Sequence, residues 1–182
     1  ENGNPLEEDK QTATEETESS EETTDKEEAN ADEADSDEEE AAEEEADEAE
    51  AELEAAIEVE NDLRSEIVTY ALQFVGNRYK YGGTNPNTGV DCSGFTSYVM
   101  RHAAEVELPH SSGGQSRMGR QVSSSEMRPG DIICYGSGKR INHVALYIGN
   151  GQIVHASTER TGIKVSRWNY RTPVRIVNVL GD

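Results

Sequence analysis

The sequence predicts an α+β domain over residues 61 to 182, with helices first along the chain and an antiparallel sheet after them, preceded by an acidic segment over residues 1 to 60. Two observations lead to this prediction. The charge of the chain changes sharply near residue 60. Beyond that point, apolar residues first recur every three or four positions and later alternate in short runs, an order typical of α+β domains.

Residues 1 to 60 contain 29 Asp and Glu but only two Lys, a net charge of −27 in a chain of net charge −22. They include no aromatic residue, and no Val, Ile, Leu, Met or Phe lies between Leu6 and Leu53. Such a segment cannot bury enough apolar surface to offset chain entropy, so we expect a disordered tail or linker. Only the stretch from about Ala41 to Glu60 favours a helix, against like-charge repulsion. A solvated spacer and an electrostatic regulator of the domain both remain open.

Residues 61 to 182 carry 14 basic and 9 acidic residues, a net charge of +5, and the only Trp, Trp168. This length suits one domain. No apolar run approaches the roughly 18 residues that span a bilayer, and no basic, apolar signal sequence is present at the start. Because the chain begins with Glu1 and not Met, we expect a processed or trimmed product, so the missing signal does not argue for the cytoplasm.

Two helices are predicted at the start of the domain. Apolar positions at helical spacing run from Leu63 to Val75 and are followed by a glycine stop. A loop rich in Gly, Asn, Pro and Thr comes next. The second helix should begin at Asp91 or Cys92, with Asp91 as its N-cap, and end near Val106.

A polar, Gly/Ser-rich connection over residues 108 to 130 leads to the predicted sheet. The remaining residues form short β-branched or alternating runs separated by Gly, Asn or Pro turns, the pattern of an antiparallel sheet. Strands are predicted at residues 131–135, 143–148, 152–156, 163–166 and 174–180.

Cys92 is the candidate nucleophile. A thiol attacks as a thiolate, and the N–H groups and dipole of a helix N-terminus favour that anion. Gly94 would leave room for a substrate backbone, and the N–H of Cys92 would bind the oxyanion that forms on attack. Cys134 lies in an apolar strand and is expected to be buried, and the different settings of the two cysteines predict no disulfide. On this pattern alone, a purely structural Cys92 remains an alternative.

His143 and His155 are the candidate base and its partner, twelve residues apart on neighbouring strands. A two-residue turn between the strands would place the imidazoles on opposite faces of the sheet. A three-residue loop, 149 to 151, would instead pair 148 with 152 and 145 with 155, which places both rings on one face. We therefore predict the three-residue loop.

In that arrangement His155 holds the tautomer of His143, and the other nitrogen of His143 takes the proton of Cys92, as in a catalytic triad. Two alternatives remain open. Each histidine can be a strand residue with a satisfied ring, or the three side chains can hold zinc, although a closed zinc site needs a fourth ligand that the sequence does not show.

The segments RYKYGG, GVDCSGF, LPHSSGGQ, RPGDIICY and NHVALYIGNGQIVHAS, in this order, closely resemble the NlpC-type cell-wall cysteine peptidases. The resemblance implies a papain-like fold, with helices packed on a small antiparallel sheet, and a triad of Cys92, His143 and His155. It implies hydrolysis of the bond from γ-D-glutamate to a diamino acid in peptidoglycan stem peptides, with no metal or organic cofactor.

The resemblance also implies substrate-binding roles for Tyr79, whose hydroxyl would point at the nucleophile, and for Asp91 and Ser93, the pair that holds the substrate amine in some relatives. A packed aromatic and a helix N-cap are the ordinary interpretations of Tyr79 and Asp91. Tyr81 and His110 depart from the usual pattern and leave the fine specificity open.

We therefore expect a secreted or cell-wall associated bacterial endopeptidase. It is expected to act as a monomer on peptidoglycan stem peptides, with no nucleic-acid partner and no transmembrane segment. One alternative is a papain-like amidase or acyltransferase acting on a different amide or ester. Another is a non-catalytic module that binds the wall or a partner, which the three filled triad positions disfavour.

Overall fold

The structure, a computed structural model, describes residues 34 to 182, with side chains from Ala46 onwards. The described chain forms three helices and eight strands, so the α+β prediction is confirmed. The helices are α1 (Ala34–Leu72), α2 (Cys92–Ala104) and α3 (Ser112–Gln115). The strands are β1 (Thr84–Asn85), β2 (Gly89–Val90), β3 (Arg120–Val122), β4 (Ile132–Ser137), β5 (Arg140–Gly149), β6 (Gln152–Thr158), β7 (Gly162–Arg167) and β8 (Pro173–Asn178).

Helix α1 begins at Ala34, well before the predicted start at Leu63, and ends at Leu72. Ala and Glu are strong helix formers, and their summed propensity outweighs the like-charge repulsion along this stretch. The predicted boundary at residue 60 therefore falls inside a helix. The stretch from about Ala41 to Glu60, the one part of the acidic segment that favoured a helix, is helical, and the helix extends back to Ala34. Residues 1 to 33 of the expected tail lie outside the described residues.

Arg64 attaches α1 to the sheet. Its side chain is 3% exposed and bonds Asp131 at 3.2 Å and Asp182 at 2.6 Å. Glu60, which we had placed in the tail, lies 3.5 Å from Arg64 and also pairs with Arg128. A buried charge needs such partners, because removing them leaves it uncompensated in a poorly solvated site.

Among the helices that the structure describes, none is both long and apolar enough to cross a membrane.

The main sheet is antiparallel, with the strand order β3-β8-β4-β5-β6-β7. The five predicted strands correspond to β4 through β8. Strand β3 and the small β1–β2 hairpin lie in segments that we had predicted as loops. Both are too short, at two or three residues a strand, for alternation to identify them.

Apolar side chains pack on both faces of the sheet. Helix α2 covers one face through Phe95 and Val99, which belong to the same buried cluster as Val144 and Leu146 of β5. A smaller buried cluster lies on the other face and consists of Val122, Ile133, Tyr135, Ala145, Tyr147, Ile153 and Ile176. Residues of β5 therefore alternate between a face covered by helices and a face that carries His143.

The β5–β6 hairpin differs from the predicted loop and keeps the predicted register. Its turn has only two residues, Asn150 and Gly151, both with positive φ, the conformation that such a turn requires. A bulge at Ile148 adds one residue to β5, so the body of the hairpin pairs Leu146 with Val154. That register equals the one predicted from a three-residue loop, and the shared face of the two histidines follows from it.

Candidate active site

Cys92 is the first residue of α2, as predicted. Asp91 is the N-cap, with an extended backbone and a carboxylate that accepts a hydrogen bond from the Gly94 N–H at 2.8 Å. The half-buried thiol is free of a disulfide, as is that of Cys134. The position of Gly94 has a different explanation from the one we predicted. A Cβ there would lie 2.2 Å from the carbonyl oxygen of Gly83, so the glycine permits close packing of the protein's own backbone and not of a substrate.

The thiol of Cys92 lies near β5. The ladder between β5 and β6 runs from the turn only as far as Leu146 and Val154. The backbone N–H of Val144, beyond the end of that ladder, lies close enough to the sulfur to lower the pKa of the thiol, as do the N–H groups of Ser93 and Cys92. Because Val144 directly follows His143, the nucleophile lies near the segment of β5 that carries the candidate base.

The two predicted histidines contact each other. Nε2 of His143 lies 2.8 Å from Nδ1 of His155, and Nε2 of His155 lies 2.9 Å from Oγ of Ser166 on β7. Both imidazoles are buried, with His155 only 1% exposed. The chain of hydrogen bonds uses Nε2 of His143 and leaves its Nδ1 for another partner.

Burial decides the protonation of these groups. Loss of solvent lowers the pKa of His143 to about 4, and the charge of Arg171 adds to the shift. Burial, with the nearby His143 and Lys164, lowers the pKa of His155 to about 3. Burial also raises the pKa of the Cys92 thiol, against the opposing N–H groups. The stabilisation of a thiolate that the helix N-terminus offers is therefore opposed at Cys92 by desolvation of the sulfur, which is the larger effect on the pKa of the thiol.

Tyr79 belongs to the neighbourhood of the nucleophile. Burial raises the pKa of its hydroxyl, and the nearby Cys92 and Asp91 raise it further. Its backbone forms a β-bridge with Val90, close in sequence to Cys92. That the hydroxyl of Tyr79 points at the thiol stays a prediction.

The carboxylate of Asp91, proposed to bind a substrate amine, already has several hydrogen-bond partners within the protein. One carboxylate oxygen accepts from the Gly94 N–H and lies 2.8 Å from Nε2 of His110, and the other accepts from the Gly82 N–H at 3.0 Å. The hydroxyl of Ser93, a buried residue, points at the same carboxylate at 3.4 Å. His110, for which the sequence suggested no partner, thus pairs with the residue that precedes the nucleophile.

Four further residues complete the site and were not predicted. Tyr170 lies with its ring 5.4 Å from His155, and Arg171 donates to Asn142 at 3.1 Å and lies over the ring of Tyr135. Ser166 was not predicted either, although it sits on the strand that pairs with the one carrying His155. None of these residues belongs to a spaced motif, so the sequence pattern gave no signal for Tyr170 or Arg171.

Gln115 is the fourth unpredicted residue, and it fixes the start of α2. Its buried side-chain amide donates to the carbonyl oxygens of Ser93 and Pro109 at 2.8 and 2.9 Å, and the Thr96 hydroxyl donates to its oxygen at 2.6 Å. Helix α3 is thereby held against the N-terminus of α2, next to the nucleophile. In the described part of the chain, no cluster of three or more His, Cys, Asp or Glu side chains has the arrangement of a metal site.

Comparisons with known proteins show the family of the domain. The model of the NlpC/P60 family matches residues 76–176. The murein DD-endopeptidase MepS/murein LD-carboxypeptidase of Escherichia coli strain K12 is 41% identical over 108 residues, which cover 59% of this chain and 56% of that protein. The probable endopeptidase p60 of Listeria seeligeri is 42% identical over 98 residues, 54% of this chain and 18% of the relative. The chain thus spans about half the length of the first relative and less than a fifth of the second.

Solved structures show the same fold. The NlpC/p60 domain of the peptidoglycan hydrolase SagA matches with a TM-score of 0.59 at 32% identity, over 63% of this chain and 97% of that domain. The peptidoglycan hydrolase RipB of Mycobacterium tuberculosis matches with a TM-score of 0.57 at 29% identity, over 65% of each chain. The family model covers more than half of the sequence, and the chain belongs to the NlpC/P60 family.

Proposed function

We propose that the domain is a cysteine endopeptidase that hydrolyses peptidoglycan stem peptides, with Cys92 as nucleophile, His143 as base and His155 as the residue that orients the base. The observation that supports this most strongly is the hydrogen-bond chain from Ser166 through His155 to His143, the residue that directly precedes Val144, whose N–H lies near the thiol. The names of the relatives, a murein endopeptidase and a peptidoglycan hydrolase, support the substrate class.

The tautomers of the two histidines follow from the role of the base. His143 can accept a proton at Nδ1 only if its own proton is on Nε2, where it is donated to Nδ1 of His155. His155 must then carry its proton on Nε2 and donate it to Oγ of Ser166. Ser166 therefore sets the tautomer of His155, and through it that of His143.

The reaction begins from neutral groups, because the pKa of the thiol is raised and that of the imidazole is lowered. As the sulfur of Cys92 bonds to the substrate carbonyl carbon, its proton passes to Nδ1 of His143. In this proposal the N–H of Cys92 and the hydroxyl of Tyr79 stabilise the oxyanion. The C–N bond then breaks and the departing amine takes the proton from His143.

Water completes the cycle. It attacks the acyl carbon and gives its proton to His143, the C–S bond breaks, and the sulfur of Cys92 recovers the proton. These steps need no metal and no organic cofactor. The imidazolium of His143 exists only between proton transfers, which agrees with a buried site that disfavours the charged form.

For the bond that is cleaved, we propose the link from γ-D-glutamate to the diamino acid. The name of the E. coli relative favours a second candidate, a bond between two D-configured residues. Asp91 and Ser93, next to the nucleophile, remain the proposed site for the substrate amine, where an incoming ammonium would compete with His110 for the carboxylate. We further propose that the protein acts on the wall outside the membrane, as a monomer.

The test is digestion of purified peptidoglycan, with mass spectrometry of the released fragments. New γ-D-glutamyl carboxyl termini are expected; new termini at D,D bonds would support the second candidate. If the wall stays intact and another amide or ester is turned over, the result supports the amidase or acyltransferase alternative. Alkylation provides the matched control, since Cys92 should react and the fully buried Cys134, whose pKa is raised to about 12, should not. Absence of any Cys92 reaction would favour a non-catalytic binding module.

A further inference from the structure

A cavity outside the catalytic site, which we call the basic pocket, lies beside α3. Its volume is about 460 Å³, and its lining combines three cations with apolar and small polar side chains. It is lined by Ser116, Arg117, Gln121, Lys139, Ile141, Val174 and Arg175. No acidic residue is part of this lining. Acidic residues are instead concentrated in helix α1.

The cations of the basic pocket lack acidic partners within the part of the chain that the structure describes. Among the described Lys and Arg side chains, only Arg64, Arg101 and Arg128 are in ion pairs with carboxylates, so the pocket cations share their unpaired state with the other basic residues of the domain and differ from them in surrounding one cavity. Arg175 donates to the carbonyl oxygen of Ser116 at 3.1 Å, which holds its guanidinium at the pocket. Three like charges around one cavity repel each other, and a bound anion would relieve that repulsion.

The basic pocket is connected to the catalytic centre by two elements. Ile141 of its lining precedes Val144, whose N–H lies near the Cys92 thiol, by three residues on β5. At a strand rise of about 3.3 Å, that is roughly 10 Å. Ser116 directly follows Gln115, which is bonded to the backbone of Ser93. An extended peptide advances about 3.3 to 3.6 Å per residue, so a substrate would cross this distance in about three residues.

We propose that the basic pocket binds a free carboxylate of the peptide whose bond Cys92 cleaves, about three residues from that bond. This inference rests on the proposed function. A peptide linked through the γ-carboxyl of glutamate keeps its α-carboxylate, and a diamino acid or a chain end supplies another, so such substrates are rich in carboxylates. Arg117 and Arg175 provide guanidinium groups that bind a carboxylate in a bidentate manner, and Lys139 adds a third positive charge.

The apolar part of the lining favours this ligand over an extended polyanion. Ile141 and Val174 would contact the aliphatic carbons next to a carboxylate, while the cations contact its oxygens. A phosphate polymer needs charges repeated along a surface, and this cavity offers them only around one point. The substrate class is therefore a short acidic peptide.

The test compares a synthetic stem peptide in its free-acid form with the same peptide in which every free carboxylate is a carboxamide. The full chain is compared with the triple variant Arg117→Gln, Lys139→Gln, Arg175→Gln. For the free acid, KM should rise roughly 10-fold in the triple variant, the summed effect of three partly exposed charge pairs. For the carboxamide, KM should change less than twofold, and kcat should be kept for both.

The control removes two positive charges elsewhere on the domain. Arg101→Gln and Arg160→Gln lie outside the basic pocket and should leave both KM values unchanged. An equal rise in KM for acid and carboxamide, or the same loss in the control variant, would overturn the proposal. Equal thermal unfolding of the variants excludes a loss of fold as the cause.

Equilibrium binding separates this proposal from the proposed function. Calorimetric titration of the Cys92→Ala chain with each peptide measures affinity whether or not the bond is cleaved. A preference for the free acid that disappears when the three cations are replaced supports the basic pocket, even if the wall digest shows no cleavage. No preference for the acid overturns it. Inorganic phosphate that binds more tightly than the acid peptide also overturns it, in favour of a phosphate ligand.

Discussion

Replacing Ser166 with Ala is the most direct test of how the base is set. Its Oγ lies 2.9 Å from Nε2 of His155, a ring that is 1% exposed. Without this acceptor, the Nε2–H of His155 is buried and unpaired, at a cost of about 1 to 3 kcal/mol. The alternative tautomer carries the proton on Nδ1 and avoids that cost, but it then donates to Nε2 of His143.

The altered tautomer of His155 disables the base. His143 must accept at Nε2, so its own proton moves to Nδ1, the nitrogen that should take the proton of Cys92. A shift of 1 to 3 kcal/mol in this equilibrium lowers the competent fraction by roughly 5- to 150-fold, since each 1.4 kcal/mol is a factor of ten. We expect kcat/KM to fall within that range, with little change in KM.

Two measurements distinguish a tautomer effect from a structural one. Ser166→Thr keeps an Oγ acceptor and should keep most of the activity, while Ser166→Ala should not. Nitrogen-15 NMR of the imidazoles reports the protonated nitrogen directly, and the signals of His143 and His155 should exchange their assignment in the Ala variant. Activity of Ser166→Ala within twofold of the wild type, with unchanged imidazole signals, would refute the reasoning.

Three further predictions follow from the site and its supports. Cys92→Ala should abolish turnover with an unchanged thermal midpoint, whereas Cys134→Ala should remain active; residual activity of the first variant near that of the wild type contradicts the nucleophile assignment. The free energy of unfolding should fall as pH drops from about 6.5 towards 4, by up to roughly 1.4 kcal/mol per pH unit for each histidine, because the unfolded chain binds protons that buried His143 and His155 do not; a flat chemical-denaturation profile over this window contradicts it. Arg64→Ala should lower the free energy of unfolding by about 3 kcal/mol, since it removes the cation that is paired with the buried carboxylate of Asp131; a loss below 1 kcal/mol in urea titration argues against it.

The sequence predicted the order of helices and strands because the apolar periodicity reflects which face of each element is buried. It also predicted that His143 and His155 share a face. The loop length behind that prediction was wrong, because alternation along a strand cannot reveal a bulge such as the one at Ile148. The predicted register is nevertheless correct. A two-residue turn with a bulge and a three-residue loop bring the same residues opposite each other in the body of the hairpin.

Properties that depend on burial were not predictable from residue types. The helix N-terminus at Cys92 suggested a thiolate, and only the depth of the sulfur in the structure shows that desolvation has the larger effect on its pKa. Ser166, Tyr170 and Arg171 likewise reach the site through the pairing of β7 and the turn after it. Long-range contacts of this kind leave no spacing in the sequence.

The bulge at Ile148 widens the range of lengths that this hairpin can have among functional sequences. In a regular hairpin, loss or gain of one residue on one strand would direct one histidine toward the helix-covered face and break the imidazole pair. Loss of the bulged residue would instead leave Tyr147 opposite Ile153, and the two histidines would still share a face. We therefore expect active homologues in which this hairpin differs by one residue to have gained or lost a bulge, whereas inactive homologues are free of that rule.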